Sequence, residues 1–143
     1  MKIFTIGFAG TSAEDFFGRL QKANVKRILD VRLHNTSQLA GFAKQNDLRY
    51  FAKTIGGMGY QHMPDLAPSD AIFKAYKKER GSWDAFARSF TALMTRRRIE
   101  KLDRKAFSGA CLLCSEAKPH ACHRRLVAEY LQRHWPRVEI EHL

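Results

Sequence analysis

The residue types best suited to chemistry crowd into one stretch of this chain. It runs Cys114-Ser115-Glu116, passes through a loop holding Pro119 and His120, and resumes as Cys122-His123-Arg124-Arg125. A thiol at a helix amino terminus beside cationic side chains favours its thiolate, because the unpaired N–H groups and positive neighbours stabilise negative charge. Cys122 has that placement if a helix opens there, and the loop can return Cys114 to its side. Glu116 and His123 then supply proton-transfer groups, while Arg124 and the helix N–H groups offer an anion site. The plainer reading makes Cys114 a small core residue and His123 a packed ring; the crowding of five such residues favours function.

The same cysteines raise the question of a metal. Cys111-x-x-Cys114 followed by Cys122 and His123 supplies four ligands suited to zinc. If Ala110 to Cys114 is extended, however, its side chains alternate, so Cys111 and Cys114 face opposite ways and cannot share one ion. A site of Cys114, Cys122 and His123 alone is not removed by that argument. Haem attachment through C-x-x-C-H fails because Pro119 stands where the first cysteine is needed. No cofactor is expected.

Two further places could meet a ligand. Asp30 and Arg32 flank Val31, where one can accept and the other donate; a mutual salt bridge is the competing reading. Gly7 and Gly10, with Ser12 following, would let backbone approach a phosphate, although neither the P-loop nor the G-x-G-x-x-G pattern is present. Tyr60 and His62 are expected to alternate about a strand, with His62 structural.

These residues need elements to position them. Lys2 to Ile6 reads as a strand ending at Gly7, and Ala13, Phe16, Phe17, Leu20 and Ala23 recur at helical spacing behind a Thr11/Glu14 capping box. Helix one is expected over about residues 12 to 23. Arg27 to Val31 reads as a second strand and His34 to Gln38 as a polar loop. Leu48, Phe51, Ala52 and Ile55 form a helical face stopped by Gly56 and Gly57, before a third strand over Gly59 to Met63. Ile72, Phe73 and Tyr76 mark a short helix. Trp83, Phe86, Ala87, Phe90, Leu93 and Met94 mark a longer one, capped by Ser82 and extended by Arg96 to Arg98. Ala110 to Leu113 is a strand, Leu126, Val127, Tyr130 and Leu131 a helical face, and Val138 to His142 a final strand. Alternating strands and helices imply a single α/β domain over 1–143: a three-layer sandwich with a mostly parallel central sheet, Rossmann-like or flavodoxin-like. Ligands in such folds bind beyond the carboxyl ends of strands, where the chemical residues above fall.

The totals agree with one domain. The chain has 143 residues, 45% of them hydrophobic, enough for a packed core. No run approaches a membrane span, the start turns at glycine too early for a signal peptide, and three cysteines do not make a disulfide framework. A cytoplasmic protein without a membrane partner is expected. Lys and Arg number 25 against 14 Asp and Glu, a net charge of +11 that attracts phosphates. Between Lys74 and Lys105 there are eleven basic and four acidic residues, mostly on expected helix, which suits either nucleic acid or a solvated face.

Taken together the motifs resemble a bacterial and archaeal family called domain of unknown function 488. The resemblance runs nearly end to end: Thr5-Ile6-Gly7 with Gly10 and Ser12, Leu29-Asp30-Val31-Arg32, Ser37 with Gly41-Phe42, Tyr60 with Leu66, Leu113-Cys114-Ser115-Glu116, and Cys122-His123-Arg124. It implies a compact α/β fold, with Cys114, Glu116, Cys122, His123, Arg124, Asp30 and Arg32 as signature positions and Cys111 outside them. It implies no reaction. Asp30-Val31-Arg32 is also similar to a triplet in rhodaneses, but Cys122 leads straight into a helix and not into an anion loop.

Three readings follow. In the first, the chain is an enzyme acting on a phosphate-bearing substrate, a nucleotide or nucleic acid, with Cys114 or Cys122 as nucleophile or redox thiol. Glu116 and His123 move protons, and Gly7, Gly10, Ser12, Asp30, Arg32 and Arg124 hold the substrate. The second makes it a non-catalytic basic module for nucleic acid, and the third a metal protein using Cys114, Cys122 and His123.

Overall fold

The computed structural model describes residues 1–35, 41–116, 118–119 and 121–143. Ser37, most of the expected polar loop and His120 lie outside them. Its regular elements are β1 (Lys2–Gly7), α1 (Ala13–Lys22), β2 (Arg27–Asp30), α2 (Gln45–Gly56), β3 (Gly59–His62), α3 (Asp70–Lys77), α4 (Trp83–Arg97), β4 (Ala110–Cys114), α5 (His123–His134) and β5 (Glu139–His142). All strand pairs are parallel and the order is β3-β2-β4-β1-β5, so β4 is inserted between β2 and β1.

Central strands buried on both faces must be apolar nearly throughout. Accordingly Ile3, Phe4 and Ile6 of β1, Ile28 and Leu29 of β2, and every residue of β4 are buried. The strand period of two sends them into two cores. Ala110, Leu112 and Cys114 join residues of α4 and α5, with Phe73 and Tyr76 of α3 packed alongside. Cys111 and Leu113 join Phe16, Phe17 and Leu20 of α1 and Leu48 and Ala52 of α2. The result is the expected three-layer α/β arrangement.

Register brings the chemical residues to one edge. Asp30 lies level with Leu113, and Gly7 with Cys114, so β1, β2 and β4 end together. Several boundaries differ from expectation. Ser12, not Thr11, caps α1 by accepting from the Asp15 N–H at 3.1 Å, while the Thr11 hydroxyl donates to the Phe8 carbonyl at 2.7 Å. Arg98 does not extend α4 but ends it, at φ 54° in the left-handed region. Among the described residues no helix is long and apolar enough to cross a membrane.

Candidate functional site

Beyond the carboxyl ends of β2 and β4 lies a cleft of about 220 Å³. Its floor is formed by Cys114 at the end of β4, Cys122 at the cap of α5 and His123 as the first residue of α5. The two Sγ atoms and one His123 ring nitrogen all lie within 4.8 Å of one another, and all three residues are buried. Phe73 and Tyr76 of α3 and Trp83 and Phe86 of α4 supply an aromatic wall. Arg32, Lys77 and Glu116 supply charge, and His34 lines the same cleft.

The hydrogen bonds of His123 settle its protonation pattern. Nε2 lies 2.7 Å from the Val31 carbonyl, which can only accept, so Nε2 carries the proton. Nδ1 therefore presents a lone pair, and Cys114 Sγ lies 3.6 Å from it. The rings of Phe73 and Phe90 meet the imidazole edge-on at 5.7 and 5.8 Å, restricting its rotation. Burial holds His123 below its usual pKa, keeping the ring neutral.

The two thiols are not equivalent. A hydrogen bond from Cys122 lowers the pKa of Cys114; burial opposes it, and backbone hydrogen bonds from Glu116 and Ser115 and the Arg124 charge add to the lowering. Cys122, as the donor to a developing negative charge and itself buried, is pushed up. Helix-terminal position alone made Cys122 the expected thiolate. The hydrogen bond between the two thiols instead shifts Cys114 down and Cys122 up.

On the adjoining strand a second polar cluster is built around charge. Arg32 Nε and Nη2 donate to the two Asp30 oxygens at 2.8 and 2.7 Å, and Nη2 also donates to the Ala43 carbonyl. The Tyr60 hydroxyl donates to Asp30 at 2.6 Å and Asn35 Nδ2 at 3.3 Å. Burial alone would raise the Asp30 pKa, but the hydrogen bonds and charge of Arg32, with the Tyr60 bond, bring it below the ordinary value. Asp30 and Arg32 thus form the mutual salt bridge of the competing reading. Among the described residues, one guanidinium nitrogen, Arg32 Nη1, is buried with no hydrogen-bond partner, on a residue that lines the cleft. Tyr60 and His62 share a face of β3, contrary to expectation, since they are two residues apart; His62 Nε2 donates to the Arg32 carbonyl at 2.7 Å.

Of the remaining expected residues only Glu116 lines the cleft. Arg124 is fully buried and does not line the cleft; it donates to the Glu116 carbonyl and, through Nε at 3.3 Å, to Thr5 Oγ1. It clamps the loop after β4 over the end of β1. Gly7 leaves room for that clamp, because a Cβ there would sit 1.6 Å from the Glu116 oxygen. Gly10 takes φ 72° in the turn and Ser12 is the helix cap, and neither lines the cleft. The Glu116 side chain stands at the rim, its Oε1 3.6 Å from Lys77 Nζ. Cys111 points away into the other core, and burial pushes its pKa up.

A family model described as "Domain of unknown function DUF488" matches residues 12–131. The chain belongs to this family. No curated protein and no solved structure matches it. The DUF488 match takes in every residue that lines the cleft and leaves out β1 and β5. Sequence reasoning passed over the DUF488 cleft's aromatic wall: at helical spacing Phe73, Tyr76, Trp83 and Phe86 look like core. One signal was available, since four aromatics cluster on two consecutive helices with lysines between them. Tyr60 was likewise not assigned to Asp30, because only the β2–β3 register brings them together.

Proposed function

We propose that this chain is an enzyme that takes a phosphate-bearing substrate carrying a planar group, of the nucleotide class, into the cleft. Its reacting groups are Cys114, Cys122 and His123. The observation that carries the reading is the convergence of those three groups on the floor of a lined cleft at the carboxyl edge of a parallel sheet. Four aromatic rings offer stacking surface for a base, and stacking is worth about 1–3 kcal/mol per base. Arg32 and Lys77 offer charge for phosphate. At about 220 Å³ the cleft suits one small molecule or one nucleotide unit and not a duplex.

Trp83 provides the test, because it belongs to the wall while the other tryptophan, Trp135, is buried against Phe107. Nucleoside monophosphates and diphosphates should change tryptophan fluorescence saturably, the matching neutral nucleosides should bind more weakly, and Lys77→Ala should raise the Kd roughly tenfold, as loss of about 1.4 kcal/mol would. If neither nucleotides nor short single-stranded oligonucleotides give a saturable change at millimolar concentration, the reading is wrong.

A further inference from the structure

We propose that Cys114 Sγ, Cys122 Sγ and His123 Nδ1 form a zinc site whose fourth coordination position opens on the cleft. The inference deepens the reading above, on which it rests only in taking that cleft as the active site. Two thiols and an imidazole are the donor set that zinc shares with few other cellular metals. Zinc–sulfur and zinc–nitrogen bonds of about 2.3 and 2.0–2.1 Å at a tetrahedral angle place adjacent ligand atoms roughly 3.6 Å apart. Cys114 Sγ and His123 Nδ1 lie 3.6 Å apart, so that edge of the tetrahedron needs no rearrangement.

The surroundings support the same assignment. A ligating histidine ordinarily gives its other N–H to a carbonyl or carboxylate, which fixes the tautomer and aims the lone pair at the metal. His123 does this through Nε2 to Val31. Two thiolates balance the charge of one divalent zinc, so the occupied cluster is neutral, as its burial demands. Each thiol that binds loses its proton to solvent. Cys111 is excluded because it lies in the opposite core, and among the described residues the cluster offers three ligands and not four. Structural zinc sites close with four protein ligands, whereas three leave a position for water or substrate. All three ligand residues line the cleft, which the aromatic wall and Lys77 also border.

The experiment uses the full-length, tag-free, reduced chain purified without chelator. Elemental analysis should find about one zinc per chain. After stripping, cobalt(II) should give a thiolate-to-cobalt charge-transfer band and the intense visible bands of a tetrahedral site, with release of protons. Cys114→Ser and Cys122→Ser should each lose charge-transfer intensity, while Cys111→Ala should keep it. Because the serine variants risk misfolding, the wild-type spectrum decides. No zinc together with no cobalt charge transfer, or a Cys114–Cys122 disulfide forming in place of metal uptake, overturns the proposal. The two readings fail separately. Nucleotide binding by stripped protein that takes up no cobalt sinks the zinc site alone. A normal cobalt spectrum that no phosphate compound perturbs, with silent Trp83, supports the zinc site and sinks the substrate reading.

Discussion

Two buried polar clusters stand side by side at the carboxyl edge of the sheet, and they use burial in opposite ways. Around Asp30, both carboxylate oxygens are occupied by Arg32, Tyr60 and Asn35. Around Cys114, the groups are neutral or share a proton, and His123 Nδ1 keeps a lone pair facing sulfur. The first cluster is charged and closed at its carboxylate, which makes it a brace. The second keeps donor atoms directed at one point, which makes it available for chemistry. They are joined through the backbone, since Val31, which receives His123, lies between Asp30 and Arg32. The brace therefore sets where the imidazole points.

The largest effect should come from breaking the brace. Asp30→Asn leaves the Arg32 guanidinium buried without its counter-charge, and removing one partner of a buried pair costs about 3–5 kcal/mol. Urea unfolding would measure it. The pH dependence follows from the same residue. The folded pKa of Asp30 lies below the ordinary value of 3.8, so its contribution is whole above that value and is lost as pH falls through the lowered folded pKa. Wild type should lose stability along that acid limb, and Asp30→Asn should show a shallower one. An Asp30→Asn protein as stable as wild type would show that the two clusters do not differ as described.

A milder cut at the same cluster is Tyr60→Phe, which removes one hydrogen bond to a charged oxygen and should cost about 2 kcal/mol. Arg32 still holds the carboxylate in that variant, so cobalt uptake at the sulfur cluster should persist. If Tyr60→Phe abolished it, the brace and the reactive cluster would be one unit and not two.

The two clusters were unequally legible in the sequence. The sulfur cluster could be read because its residues are near neighbours along the chain and because strand alternation separates Cys111 from Cys114 without knowledge of the fold. The brace was half visible: Asp30 and Arg32 are two residues apart, but Tyr60 and Asn35 reach the carboxylate only through strand pairing and a loop return. Arg124 looked like an anion ligand because nothing local reveals that its partner is the Glu116 carbonyl, made reachable by the missing side chain of Gly7. Thr11 and Ser12 both carry hydroxyls at a helix start, so type alone did not say which would cap. Phe73, Tyr76, Trp83 and Phe86 have the spacing of a core face, and only the space left above the β4 edge makes them a wall.

The smallest effects should come from the two cysteines of β4, and they sharpen the comparison most. Each is buried, and exchange to alanine in either case should cost about 1 kcal/mol in urea unfolding. Stability would then be nearly the same for Cys111→Ala and Cys114→Ala, while chemistry would not. Cys111→Ala should keep the rate of thiol alkylation in the cleft and the uptake of cobalt, because its sulfur lies among the α1 and α2 side chains. Cys114→Ala should abolish the uptake of cobalt and leave Cys122 without its acceptor. Equal chemical effects from the two substitutions would mean that the face of the strand does not matter, and that the cleft is not where this protein's sulfur chemistry occurs.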